Sequence, residues 1–194
     1  MSDEAPGWDA IDAALRAVHG DAEPLHRALA PGVALGSPLQ GVSAYAEPDH
    51  WHFVTYGLTE LFVKDSEVAE ISGFGYELTL RAARGDEPEP PVWPFALLAN
   101  VAAAARAGHD FCVGHRLQTG GPITGEPGCA LEAVAFTSDP SLPTWTESPH
   151  GSFEFYTLVG ITPDELREKQ ATSTAAVLQR LAEHNPLLIT DASR

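Results

Sequence analysis

The segment Ser72–Arg81 reads SGFGYELTLR and alternates with a period of two. Phe74, Tyr76, Leu78 and Leu80 share one side, and Gly75, Glu77, Thr79 and Arg81 share the other. That period predicts a strand over Phe74–Arg81, with the first set in the core and Glu77 and Arg81 on a polar side. His50 to Leu58 carries large groups at both parities, which predicts a strand covered on both faces. Trp8, Ile11, Leu15 and Val18 recur at helical spacing, with Gly20 placed to stop the helix. Asp21 to Pro48 is rich in Gly and Pro and reads as an irregular wrap. Lys64 to Glu70 reads as a polar connection.

Arg84–Pro91 (RGDEPEPP) is too acidic and proline-rich for core and reads as an exposed loop. Trp93-Pro94 then opens a helix whose buried stripe is Phe95, Leu98, Ala102 and Ala105, ended by Gly108. Phe111–Leu117, Leu131–Thr137 and Phe153–Gly160 read as further strands between turn-rich stretches such as Ser138-Asp139-Pro140. Thr162-Pro163-Asp164-Glu165 has the form of a capped helix start. A last helix carries Thr174, Val177, Leu178 and Leu181 on one side, and Leu187–Thr190 reads as a short buried strand. Strands and helices intermix without strict alternation. The expected fold is therefore α/β of the α+β type, a mixed β-sheet packed with helices in a single domain over residues 1–194.

The chain's 194 residues include 11 Lys and Arg against 27 Asp and Glu, a net charge of -16. This acidity argues against nucleic acid and anionic membrane surfaces as partners, and favours a basic protein. Two cysteines, Cys112 and Cys129, do not make a secreted disulfide framework. The acidic start lacks the basic and apolar regions of a signal peptide, and no run of residues is apolar enough to span a membrane. A cytoplasmic protein is expected.

Candidate chemistry is sparse. Gly73-Phe74-Gly75 lacks the third glycine of a nucleotide loop and is followed by a strand, so its glycines are read as allowing a tight bend. If His50 and His52 share a strand face, their Cα atoms lie about 6.5–7 Å apart, close enough for two imidazoles to meet one metal. His115 completes the set for a metal-dependent enzyme, the alternative to a binding protein. No dense ligand motif accompanies these histidines, so neither a metal nor any other cofactor is expected. A Cys112 nucleophile with His109 or His115 is weighed against a buried, inert thiol beside Phe111, and the inert reading is preferred. Trp93 reads as an anchor of its helix start.

Together, His50-Trp51-His52-Phe53-Val54-Thr55-Tyr56-Gly57-Leu58 and SGFGYELTLR resemble the signature of the suppressor of fused family. Matches continue in order through Pro91-Val92-Trp93-Pro94, Phe111, Gly114-His115, Gly121-Pro122-Ile123, Asp139-Pro140 and Leu158–Thr162, to Asn185–Asp191. The resemblance implies a mixed α/β domain that binds another protein and does not catalyse. Animal members hold an extended segment of a transcription factor between this domain and a second one. Their gripping tyrosine and acidic residue fall near Ala104 and His115 here, so that partner is not carried over. The resemblance also implies a single-domain bacterial member. Among those, an immunity-type inhibitor of a toxin is the finer expectation, and a housekeeping regulator that binds a cellular protein is the other. Expected partner contacts are His50, His52, Tyr56, Glu77 and His115, polar groups that are costly to bury on strands without use.

Overall fold

The computed structural model describes residues 4–28, 37–171 and 173–194, the side chains of 169–171 excepted. Its elements in order are α1 (Pro6–His19), β1 (Leu25–Ala28), β2 (Gly41–Ala46), β3 (His50–Tyr56), β4 (Ile71–Ala83), α2 (Trp93–Arg106), β5 (Arg116–Gln118), β6 (Ala133–Ser138), β7 (Thr146–Ser148), β8 (Gly151–Ile161), α3 (Pro163–Ala171) and α4 (Thr174–Ala182). The strands form one sheet in the order β1-β2-β3-β4-β8-β6-β5, with β7 pairing β8 off that path. The β4–β8 pair at its centre is parallel and the other pairs are antiparallel. The mixed α+β architecture is the expected one. None of the helices is long and apolar enough to cross a membrane, among the described residues.

Both faces of the sheet are covered, which is why β3 and the centre of β4 are apolar or buried at every position. On one face α2 lays Phe95, Leu98, Val101 and Ala102 on Phe53, Leu78, Leu80, Phe136 and Leu158. On the other, α1 packs Ile11, Ala14 and Leu15 with Tyr45, Val54, Tyr56, Phe153 and Phe155. Further along that second face, Leu178 of α4 and Leu188 pack with Ala133, Ala135, Val159 and Ile161. Helix ends follow the sequence signals. Thr162 N–H donates to Glu165 Oε2 at 2.8 Å, while Thr162 Oγ1 accepts from Glu165 N–H at 3.3 Å, a reciprocal capping box.

Four expectations need correction. The irregular stretch at Asp21–Pro48 contains β1 and β2, whose four and six residues are too short to stand out among the glycines; its part at 29–36 lies outside the described residues, as do the first three residues. Only Arg116–Gln118 of Phe111–Leu117 is strand, and Phe111 is buried on a loop against Phe136. Cys112 on that loop is exposed and not a core thiol. Leu187–Thr190 reduces to one bridge, Thr190 with Ala82.

Phe74 also departs from the period-two pattern and is exposed, because β4 bulges between Ile71 and Tyr76. Gly73 (φ 55) and Gly75 (φ 81) make the bulge, and a Cβ on Gly73 would lie 2.4 Å from the Leu58 carbonyl oxygen. Glu60 holds the bulge in place by accepting from Gly73 N–H at 3.1 Å. Phase is regained at Tyr76, so Tyr76, Leu78 and Leu80 reach the core as the alternation requires.

Glu77 and Arg81 do not face water. Glu77 is fully buried. Its Oε1 accepts from Gly57 N–H (2.9 Å), Thr59 N–H (2.9 Å) and the Thr59 hydroxyl (2.7 Å), and its Oε2 accepts from the Thr55 hydroxyl at 2.5 Å. The carboxylate thereby stitches the turn after β3 to β4. Burial pushes Glu77 up to about 7, against these four donors. Since this folded value lies above the ordinary one, the native chain holds a proton that the unfolded chain releases between about pH 4.5 and 7. Stability from this group therefore falls as pH rises through that window. Glu77→Gln should remove this pH dependence in urea denaturation, while Glu77→Ala should cost about 1–3 kcal/mol for each stranded donor. Equal, pH-independent losses in both variants would contradict this role.

Candidate partner-binding cleft and the buried polar chain behind it

Helix α1 is held close to the sheet edge by a glycine. A Cβ on Gly7 would stand 2.0 Å from the Glu60 carbonyl oxygen, and Gly7 N–H donates to Leu61 O at 3.0 Å. This seating turns Ile11 and Leu15 onto the sheet and leaves Trp8, Asp12 and Arg16, at four-residue spacing, as a stripe along an open cleft. The cleft encloses about 330 Å³. Its opposite wall and floor are His26 of β1, Ser43 and Tyr45 of β2, and Tyr56 of β3, and the Gly20–Pro24 loop forms its rim.

The walls are fixed by specific contacts. The Tyr56 hydroxyl donates to Asp12 Oδ1 at 2.8 Å, and Trp8 stacks on Tyr56 with ring centroids 4.4 Å apart. His26 Nδ1 lies 2.9 Å from Ser43 Oγ, and its ring tilts against Trp8 at 5.2 Å. Burial pushes His26 below its ordinary value, so the ring is neutral at pH 7. Burial also pushes the Tyr56 hydroxyl far up, which keeps it a donor.

Behind Tyr45 runs a chain of buried polar groups. His19, at the end of α1, stacks on Tyr45 at 4.1 Å and places Nδ1 2.7 Å from Glu47 Oε1. Its Nε2 lies 3.0 Å from His52 Nδ1, and His52 Nε2 stands 3.3 Å from Asp139 Oδ2. Asp139 takes the Arg81 guanidinium in a fork, at 2.8 Å from Nη1 and 2.9 Å from Nη2, and also accepts the Thr79 hydroxyl at 2.6 Å. Burial alone would raise the Asp139 carboxyl, but His52 and Arg81 outweigh it and hold the group well below the carboxylate range.

Two neutral imidazoles bring two N–H donors to the three contacts Glu47–His19, His19–His52 and His52–Asp139, so one of the three is left without a proton. His52 Nε2 is the buried ring nitrogen of this chain of groups that lacks a well-formed hydrogen bond. Burial, aided by Arg81 and opposed by Asp139, pushes His52 down to about 4.

The five expected contact residues do not form one patch. Tyr56 lines the cleft, and His52 lies one histidine behind it. His50 is buried with Nδ1 2.7 Å from Asp49 Oδ1. Glu77 is enclosed by its four donors. His115 is exposed on the loop before β5, across β4, β8 and β6 from β3. The His50, His52 and His115 set is therefore not brought together, and no group of three or more His, Cys, Asp or Glu is placed to hold a metal among the described residues. His19, Asp12 and His26 were not singled out in the sequence, and Asp139 was legible only as a turn residue and as part of the family match. The i, i+4 spacing of Trp8, Asp12 and Arg16 is the one sequence signal for the stripe.

The folded value of His52 lies below its ordinary 6.5, so between pH 6.5 and about 4 the unfolded chain binds a proton that the native chain refuses. Stability from His52 is complete above that window and falls as pH drops through it. The stability of the native sequence minus that of His52→Gln, from denaturant melts, should shrink by up to about 1.4 kcal/mol per pH unit below 6.5. A difference that stays flat from pH 7 to 4.5 would contradict the assignment.

Residues 36–194 match the family model described as Suppressor of fused protein. The human Suppressor of fused homolog is 30% identical over 172 aligned residues, an alignment that takes in 82% of this chain and 34% of that protein; the mouse homolog matches equally. The chain thus spans about a third of the length of these curated relatives. A Sufu–Fu complex crystal structure superposes with a TM-score of 0.87 at 26% identity, covering 99% of this chain and 92% of that one. The crystal structure of Drosophila Suppressor of Fused gives 0.88 at 26% identity, covering 100% of this chain and 51% of that one. With the family model matched over most of its length and its sheet and helices superposing on both solved relatives, the chain belongs to the Suppressor of fused family.

Proposed function

We propose that the chain is a non-catalytic protein-binding domain for a basic protein partner, and more specifically a cytoplasmic, immunity-type inhibitor that occludes a bacterial toxin. The observation that carries the reading is the contrast between its two polar regions. The acid and base groups on the central strands are enclosed with partners of their own, whereas the cleft beside α1 is open and lined by aromatic rings and carboxylates. A solved relative is a complex with Fu, which supports binding of a protein as the mode of action. The net charge of -16 favours a basic partner and fast encounter at low salt. Two free cysteines are compatible with a reducing compartment. His50, His52 and Glu77 fit as supports of the surface; of the other two expected contacts, Tyr56 forms the floor of the cleft and His115 is exposed on a separate loop, open to a partner there.

The test is co-expression of the full chain with the product of the adjacent gene in its native genome. The expected result is suppression of growth arrest, and a one-to-one complex whose association slows as salt is raised. A toxic neighbour that neither binds nor is neutralised, or the absence of any toxic neighbour, would remove the immunity role.

A further inference from the structure

The cleft brings the half-buried Trp8 ring and the exposed His26 ring together with the carboxylates of Asp12, Asp21 and Glu23, the aromatic and acidic surfaces that a planar cation needs. Resting on the protein-binding reading above, we infer that this cleft recognises the guanidinium of an arginine presented by the partner. Asp12 spends Oδ1 on the Tyr56 hydroxyl, and its second oxygen has no partner among the described residues. Asp21 and Glu23 bring two more carboxylates to the rim, against one internal cation, Arg16, which stands one turn beyond Asp12. The neutral His26 ring adds no repulsion. Gly41 lets that ring settle on β2, since a Cβ there would lie 2.4 Å from His26 Nε2.

Arginine fits better than lysine for a geometric reason. Its flat fork can lie on a ring while pairing edge-on with a carboxylate, whereas an ammonium is a compact, strongly hydrated charge. The same protein already uses guanidinium-on-ring packing twice. Arg27 lies 4.5 Å from the Phe95 centroid, and Arg84 lies 4.8 Å from the Trp51 ring. In the cleft, the partly exposed Trp8 and His26 rings and the carboxylates carry no such tenant among the described residues. Arg16 is the nearest internal competitor, and its removal should leave more negative potential for an incoming side chain.

The test uses the full chain, 15N-labelled, and a short peptide with one central arginine flanked by lysines, alongside the same peptide carrying citrulline. Citrulline keeps the shape and removes the charge. Saturable shifts are expected at the Trp8 indole N–H, Asp12, Asp21 to Glu23 and Ser43. Affinity should fall about fivefold or more with citrulline, fall by a similar factor in Asp12→Asn, and rise about twofold in Arg16→Gln. Asparagine can still accept from Tyr56, and Arg16 is exposed, so both variants keep the wall intact. Equal affinity for the two peptides, shifts centred on the Asp86–Glu89 loop, or no saturable shift up to about 10 mM would overturn the inference. The peptide contains no part of the natural partner. A failed titration beside an intact partner complex therefore removes the arginine site and leaves the protein-binding reading standing.

Discussion

The fork between Arg81 and Asp139 is the contact on which the arrangement of this protein depends. Arg81 comes from the central strand β4 and Asp139 from the loop after β6, and both side chains are almost wholly withdrawn from water. Two charges in such a place stabilise the fold only if each remaining donor and lone pair is met. The carboxylate is met on every side, since Asp139 also accepts the Thr79 hydroxyl, the Ser141 N–H and hydroxyl, and the Leu142 N–H, while Arg81 commits three of its five N–H groups, two to Asp139 and one to the Ser141 hydroxyl. Losing one partner would strand the other, which typically costs about 3–5 kcal/mol. The pair thus fixes the β6–β7 loop over β4 and sets the floor on which His52, His19 and finally Tyr45 are stacked.

That dependence explains why a strand so informative about family is uninformative about activity. SGFGYELTLR contains a bulge, a core stripe, and two buried charged groups satisfied from three different directions: the turn after β3, the loop after β6 and the sheet itself. Each requirement restricts residue type for reasons of folding. The recognition surface we propose lies instead where α1 meets β1 and β2, at the edge of the sheet.

Elements with a strong period were legible. The α1 and α2 stripes, the capping box at Thr162 and the two-sided burial of β3 all follow from spacing and cap chemistry that act within one element. The phase of β4 was legible from Tyr76 onward but not at Phe74, because a bulge made by two left-handed glycines leaves the apolar pattern unmarked. The polar side of β4 misled, since alternation shows that Glu77 and Arg81 share a face and says nothing of what covers it. Partners far apart in sequence were beyond reach: His19 meets His52 across 33 residues, and Arg81 meets Asp139 across 58. The cleft was hidden for the same reason, as its lining is drawn from four elements, two of them short strands inside a glycine-rich stretch.

We propose a division of labour, with β3, β4 and β8 as scaffold and the α1, β1 and β2 surface as the site of recognition. Hydrogen exchange of the chain alone and with its partner bound tests this most directly. Slow exchange in β4 and β8 that binding leaves unchanged is expected, with new protection concentrated in Trp8–His26 and Gly41–Ala46. Protection that instead centres on His109–Gln118 and the β5 edge, with the α1 cleft unaffected, would contradict it.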